Sequence, residues 1–82
     1  MNLLFAGTPD FAADHLGALI ASEHHIVGVI TQPDKPGKRG KQSVPSAVKR
    51  LAEQHQLPVL QPLRLRRSDI EHLDVDLMVV VA

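Results

Sequence analysis

The 82-residue sequence contains no cysteine, no tryptophan, no tyrosine and only two phenylalanines. Without cysteine the chain can form neither disulfides nor thiolate metal sites, and it carries no signal about the redox state of its compartment. Its apolar runs are far shorter than the roughly 20 residues that span a bilayer. The first apolar run also lacks the basic segment that begins a signal peptide. These absences predict a soluble cytoplasmic protein without a membrane partner.

Charge is unevenly distributed along the chain, although acidic and basic residues balance overall. Residues 35–67 contain every basic residue and a single acid, Glu53, which gives this window a net charge of +8. Such asymmetry is typical of a surface that meets a polyanion, but solvated loops and helix faces would also account for it. The basic residues are Lys35, Lys38, Arg39, Lys41, Lys49, Arg50, Arg64, Arg66 and Arg67.

Four short apolar runs predict strands, at residues 3–6, 26–31, 57–60 and 75–82, because turn-forming or polar residues soon interrupt them. Pro58 permits only a brief third strand. Apolar residues at helical spacing predict helices between these strands. The first should run over 9–22 with Thr8 as its cap, and the second should start near Pro45 or Ser46. The third should cover 68–73 with Ser68 as its cap.

The order β-α-β-loop-α-β-α-β predicts an α/β protein with a partial doubly wound (Rossmann-like) parallel sheet and strand order 3-2-1-4. The last run, residues 77–82, lacks polar alternation and predicts a strand covered on both faces. Because such sheets normally continue, we expect the chain to be truncated after strand 4. A core of this size predicts marginal stability. The open edge of strand 4 predicts self-association through that strand.

The turn after strand 1 is the usual ligand-facing position in such a sheet, and it reads Gly7-Thr8-Pro9-Asp10-Phe11. A dinucleotide site would require Gly-x-Gly-x-x-Gly here, and only Gly7 is present. Pro9 has no amide proton, and Asp10 would place a negative charge beside a phosphate, so the turn argues against nucleotide cofactors. A plain tight turn that starts the next helix is the alternative interpretation.

The five histidines show no metal-ligand spacing on one element, and exposed or partly packed histidines explain them better. His24 and His25 are adjacent and would point to opposite faces of strand 2. No Ser/His/Asp group and no pair of carboxylates can be assembled within the chain. We therefore predict neither a metal site nor catalytic residues among these residues.

A proline- and glycine-rich loop after strand 2 carries Lys35, Lys38, Arg39 and Lys41. Four cations cannot pack as core, so contact with phosphates is one interpretation. The scarcity of aromatics argues against base stacking as the main binding mode. Composition alone leaves anion recognition and a solvated linker equally open. Since no apolar side chain anchors residues 33–43, we expect them to be mobile in the absence of a partner.

Six segments, in the same order along nearly the whole chain, resemble the methionyl-tRNA formyltransferase family. The turn after strand 1, combined with the basic insertion after strand 2, is the specific part of the match. The related glycinamide ribonucleotide enzymes have a glycine- and asparagine-rich phosphate loop after strand 1, which this chain lacks. The segments are Phe5-Ala6-Gly7-Thr8-Pro9-Asp10-Phe11-Ala12, Val29-Ile30-Thr31-Gln32-Pro33-Asp34-Lys35-Pro36, Arg39-Gly40-Lys41, Pro45-Ser46-Ala47-Val48-Lys49, Leu57-Pro58-Val59-Leu60-Gln61-Pro62 and Met78-Val79-Val80-Val81-Ala82.

The resemblance implies that residues 1–82 form the N-terminal part of the formyltransferase catalytic domain, with a C-terminal barrel domain outside this chain. The whole enzyme, expected to be a monomer, would transfer a formyl group from 10-formyltetrahydrofolate to the amino group of methionine on initiator tRNA. The basic loop would contact the acceptor arm, chiefly through Arg39. The turn at residues 7–11 would line the methionyl-adenosine end of the site.

The family's catalytic asparagine, histidine and aspartate, and its main folate contacts, would follow strand 4. A polypeptide of these 82 residues is therefore expected to be inactive. Two alternatives remain open. One is another folate-dependent enzyme of the formyltransferase fold, acting on a small amine or an amino sugar, and the other is a stand-alone RNA- or protein-binding module.

Overall fold

A computed structural model describes residues 1–22, 24–35 and 44–81. Four parallel strands form one sheet in the order β3-β2-β1-β4, which confirms the predicted fold class and strand order. None of the described helices is long and apolar enough to cross a membrane. The elements are β1 (Asn2–Gly7), α1 (Asp10–Ala21), β2 (His25–Ile30), α2 (Ala47–Gln54), β3 (Val59–Leu60), α3 (Arg67–Ile70) and β4 (Leu77–Val81).

Helices α1 and α2 pack on one face of the sheet and form the core with alternate strand residues. Phe5 of β1 and Val29 of β2 are paired in the parallel register, and both are fully buried. Leu16 of α1 and Val48 of α2 belong to the same cluster. Each buried side chain of this size stabilises the fold by about 1.5–3 kcal/mol. This layer therefore fixes both helices against the two central strands.

Helix α1 does not begin as the sequence predicts. Pro9, with φ −54° and ψ 154°, is its N-cap, and no side chain caps it. The prediction that Thr8 is the cap is wrong because the Thr8 hydroxyl instead accepts a hydrogen bond from the backbone N–H of Gln32 at 3.0 Å. Asp10 lies in the first turn, as predicted, where its charge interacts favourably with the positive end of the helix.

The ends of α2 follow well-understood capping rules. The helix starts next to Ser46, which confirms the predicted start near Pro45 or Ser46. Ser46 is its N-cap, and the Ser46 side chain accepts from the backbone N–H of Lys49. At the other end Gln56 adopts a φ of 57°. The N–H of Leu57 donates to the carbonyl of Ala52, and that of Gln56 donates to the carbonyl of Glu53. These two bonds form a Schellman motif, in which glycine is the usual left-handed residue.

Helix α3 is shorter than predicted and starts one residue earlier. It covers Arg67–Ile70, and the prediction of Ser68 as its cap is wrong. The reason is that Asp69 reaches back and accepts from the backbone N–H of Arg66 at 2.8 Å. That bond satisfies the backbone N–H of the N-cap residue itself, as an acidic residue at N3 does in a capping box.

The second face of the sheet is covered only in part within the described residues. Leu4 is 1% exposed on this face, and the side chains of Leu4 and Leu73 both lie against Gly28. Val80 of β4 is 64% exposed. Val79 and Val81 pack against the core on the other face. The prediction that strand 4 is covered on both faces concerns a sheet that continues beyond this strand, and it stays a prediction.

Gly7 ends β1 at the point where β1, β4 and α1 converge. A Cβ atom on Gly7 would lie 2.9 Å from the Cβ of Ala12, 3.1 Å from the carbonyl oxygen of Val81 and 3.2 Å from Cε2 of Phe5. Ala12 is held by α1 and Val81 by β4, so neither can withdraw without shifting an element. The missing side chain is what permits this close approach.

Replacing Gly7 by Ala should lower the free energy of unfolding by about 1–3 kcal/mol, because the added methyl overpacks the convergence. Urea unfolding of both proteins measures the difference. Gly17→Ala is the matched control, since its Cβ would have only Leu51 Cδ2 at 3.8 Å. In the interior of α1 that change should stabilise by about 0.5–1 kcal/mol. Equal effects of the two substitutions would contradict the steric role of Gly7.

In a polypeptide of these 82 residues, β4 pairs with β1 on one side and with no described residue on the other. An open apolar edge recruits further strands. Val80→Lys should therefore reduce self-association, measured by sedimentation over a concentration series. Leu63→Lys is the control, because Leu63 is 95% exposed but lies outside any strand. If both variants reduce association equally, general apolar exposure rather than the β4 edge drives it.

Candidate functional site

A cavity of about 1070 Å³ opens where the carboxyl ends of β1, β2 and β4 meet the start of α2. Ligands of doubly wound sheets bind at this edge, outside the carboxyl ends of the strands. Its apolar lining includes Val80, Leu63 and Leu65, and the described residues supply the cations Lys35 and Arg50. The cavity therefore offers both a surface for an apolar group and positive charge for an anionic one.

Three hydroxyl groups from three different segments form a chain beside this cavity. We call Thr8, Thr31 and Ser46 the hydroxyl cluster. The Oγ1 atoms of Thr8 and Thr31 are 3.2 Å apart, and Thr31 Oγ1 is 3.0 Å from Ser46 Oγ. Thr31, immediately after β2, is only 3% exposed and lies in the middle of the chain. The cluster ties the turn after β1 and the end of β2 to the N-cap residue of α2.

Asp34 joins the start of the basic loop to two other segments. Lys49 Nζ donates to both of its carboxylate oxygens, at 2.9 and 3.1 Å, and Gln61 Nε2 donates to it at 2.7 Å. The Gln61 amide also donates to the carbonyl of Gln32 at 3.1 Å. The hydrogen bond from Gln61, followed by that from Lys49, holds the pKa of the Asp34 carboxyl below its ordinary value.

The two ends of the basic loop are clamped together by a backbone bridge. The N–H of Lys35 donates to the carbonyl of Val44 at 3.0 Å, and the N–H of Val44 donates to the carbonyl of Lys35 at 2.7 Å. We call this pair the loop neck. Asp34 and Lys35 are thus held by polar contacts, which the apolar pattern of the sequence does not indicate, and the expected mobility of residues 33–43 stays a prediction. Lys38, Arg39 and Lys41 lie outside the described residues.

The structure brings together most of the predicted site residues that it describes. Gly7, Thr8, Pro9 and Asp10 all line the cavity, and so does Lys35 of the loop neck. These positions agree with one shared site, and the roles assigned to them remain predictions.

Phe11 is the exception among the predicted turn residues. It is absent from the cavity lining and is half exposed. Its ring instead meets His15 edge-on, with the ring centroids 6.4 Å apart.

Sequence reasoning missed Thr31, Ser46 and Arg50 as part of the site. Two signals were present in the sequence. Thr31 ends the second apolar run, which places it at the ligand-facing edge of a parallel sheet. Ser46 and Arg50 are four residues apart on one helix and therefore share a face.

The ionisable groups that line the cavity are Asp10, Lys35 and Arg50, and no described histidine belongs to the lining. Within the described residues no group of three or more histidines and carboxylates could hold a metal ion. No protein-family model matches the chain. The lining that the structure describes is thus equipped to bind and orient a ligand through hydroxyls and cations.

Replacing Asp34 by Asn should lower the free energy of unfolding at neutral pH, and the difference from the parent chain should shrink as the pH falls. A carboxyl whose pKa is lowered by folding stabilises the fold above its unfolded-state value of about 3.9, and this stabilisation disappears as the pH falls through the folded-state value. Urea unfolding between about pH 7 and pH 3 tests this. Glu53→Gln, an equal change of charge on the exposed side of α2, should show little of this pH dependence. A constant difference across the range would contradict the ion-pair role of Asp34.

Proposed function

We propose that this chain is the N-terminal part of the catalytic domain of a methionyl-tRNA formyltransferase. The whole enzyme transfers a formyl group from 10-formyltetrahydrofolate to the amino group of methionine on initiator tRNA. One structural observation supports this most. Both residues of the loop neck, Lys35 and Val44, line the same cavity as residues 7–10 of the turn after β1. A basic loop whose two ends line a cavity suits a substrate that carries many phosphates and one small reactive group.

The neck gives the loop a defined starting direction. Two backbone hydrogen bonds close the neck, and Asp34, the residue before Lys35, is joined to α2 by its ion pair with Lys49. These contacts join residues of this chain to one another, and a loop base fixed by such contacts loses less conformational entropy on association.

The charges of the described residues agree with a phosphate-rich substrate. Asp34 neutralises Lys49, whereas Lys35 and Arg50 line the cavity and form no ion pair within the described chain. Arg64, Arg66 and Arg67 are also exposed, but none of them lines the cavity. Counterion release from phosphates would then supply much of the affinity, and positive potential at the rim would accelerate the encounter.

The alternatives fit the arrangement less well. An enzyme of this fold that formylates a small amine or an amino sugar has no need for a basic loop at the rim of its cavity. A stand-alone RNA-binding module has no need for a cavity of about 1070 Å³ beside that loop. Formyl transfer to Met-tRNA by the whole protein, compared with transfer to small amines, separates these possibilities.

The residues of this chain contribute binding and positioning rather than proton transfer in the proposal. General acid–base catalysis requires a group with a suitable pKa within hydrogen-bond reach of the attacking amine. Asp10 is the single carboxylate of the cavity lining, and it lies at the exposed start of α1. The acid–base groups would come from the remainder of the enzyme, as the family resemblance implies.

In the whole protein, replacing Lys38, Arg39 and Lys41 by Ala should weaken tRNA binding and flatten its salt dependence. Each lost phosphate contact removes about 0.7–0.9 from the slope of log K against log salt, so three contacts remove about 2–3. Filter binding over a range of salt concentrations measures the slope.

The matched control replaces Arg64, Arg66 and Arg67 by Ala, which removes the same charge from a segment outside the loop. Its slope should stay close to that of the unsubstituted protein. Equal flattening in both triple variants would show that net charge, rather than the loop, governs binding. An unchanged slope in the loop variant would leave the loop as a solvated linker.

A further inference from the structure

The hydroxyl cluster contains one more hydrogen than it uses internally. Each hydroxyl has one hydrogen and two lone pairs. The two contacts between its oxygens, at 3.2 and 3.0 Å, use two of the three hydrogens in whichever direction they run. The backbone N–H groups of Gln32 and Lys49 donate to the two ends, and this occupies lone pairs without using a hydrogen. One hydroxyl hydrogen therefore has no acceptor among the described residues.

All three residues of the cluster line the cavity, so the spare hydrogen is available to a ligand there when it belongs to Thr8 or Ser46 at either end of the cluster. Two of the six lone pairs also remain, so the cluster by itself can serve either an acceptor or a donor. The two cations of the described lining, Lys35 and Arg50, favour a ligand atom that carries negative charge. A phosphate or carboxylate oxygen can accept the spare hydrogen and also meet this positive charge.

Arg50 adds a positive charge to the same place. The backbone N–H of Arg50 donates to the carbonyl of Ser46 at 3.1 Å, so one helical turn separates the two residues. They share a face of α2, and helical side chains tilt toward the N-terminus, which directs the guanidinium toward Ser46. Arg50 pairs with no carboxylate within the described ranges, unlike its neighbour Lys49. A guanidinium presents a planar fork of donors that matches the oxygens of a phosphate.

We infer that the hydroxyl cluster and Arg50 together form a subsite for a phosphate ester. Asp10 lies on the lining contributed by α1 and repels an anion, so the phosphate belongs beside α2. The cavity, at about 1070 Å³, leaves room beside a phosphate for a larger esterified group such as a nucleoside. The inference rests on the proposed function only for the identity of the molecule that carries the phosphate.

The test is a titration of the chain followed by amide NMR shifts, with adenosine 5′-monophosphate, adenosine and inorganic phosphate as probes at constant ionic strength. Adenosine monophosphate should shift the amide signals of Gln32, Lys49 and Arg50, and adenosine should bind at least about tenfold more weakly. A short RNA with internal phosphodiesters but no terminal phosphate is the fourth probe. If it binds more tightly than the mononucleotide, the phosphate comes from an RNA backbone, and if inorganic phosphate binds as tightly, the subsite takes free phosphate.

Two pairs of variants separate recognition from folding. Ser46→Asp and Ser46→Asn both keep a good helix cap and are nearly equal in size, but the first adds a negative charge and no donor. Ser46→Asp should weaken binding of adenosine monophosphate about ten- to hundredfold, and Ser46→Asn should weaken it far less. Arg50→Gln should cause a loss similar to that of Ser46→Asp, whereas Arg64→Gln, with the same change of charge outside the lining, should leave the affinity nearly unchanged.

Two results would overturn the inference. One is that adenosine monophosphate binds no better than adenosine at concentrations up to about 10 mM. The other is that each test variant behaves like its control. In either case the proposed function would stand if replacing the loop cations still flattens the salt dependence of tRNA binding by the whole protein. Conversely, the subsite stands if these shifts appear in a protein that formylates no tRNA.

Discussion

The close approach of three elements at Gly7 is the constraint on which the rest of the structure depends. β1 is central in the sheet, paired with β2 on one side and β4 on the other, and its last residue also meets α1. Because a methyl group would not fit there, the carboxyl ends of β1 and β4 and the start of α1 are set by backbone contact. The turn that follows is therefore held at a fixed distance from the neighbouring strand ends, and the cavity takes its shape from that distance.

Polar side-chain contacts connect the ends of the strands to the segments around the cavity. The hydroxyl cluster connects the turn after β1 to β2 and α2, and Asp34 connects the residues after β2 to α2 and to Gln61 after β3. Each contact uses a short side chain or a paired charge, which suits the partly buried rim of a sheet better than apolar packing. None of the buried polar side-chain atoms that the structure describes lacks a hydrogen-bond partner.

The sheet was predictable from sequence because its signals are local and strong. Brief apolar runs, separated by segments whose apolar residues recur at helical spacing, led to the correct strand order. Pro58 alone indicated that β3 would be short. The caps of α1 and α3 were not predictable in the same way. Thr8 bonds to residues more than twenty positions away, and Asp69 reaches backward to Arg66, so neither contact follows from a rule about the preceding residue.

The candidate site was predictable only in part, for a similar reason. Residues 7–10 and Lys35 were identified because turns after parallel strands face ligands and because cations cluster in the loop. Arg50 was not singled out, because the sequence does not show which basic residues of α2 are paired. Lys49 pairs with Asp34, 15 residues away, whereas Arg50 forms no ion pair within the described residues.

The loop neck has a consequence for how such a protein can change. Eight residues, 36–43, separate Lys35 from Val44, whose backbones already meet. The entropy of closing a loop grows slowly with its length, by only about 0.6 kcal/mol for each doubling. Because the neck joins the two ends through its own backbone hydrogen bonds, a change in the number of residues between Lys35 and Val44 should cost the sheet and the cavity little stability.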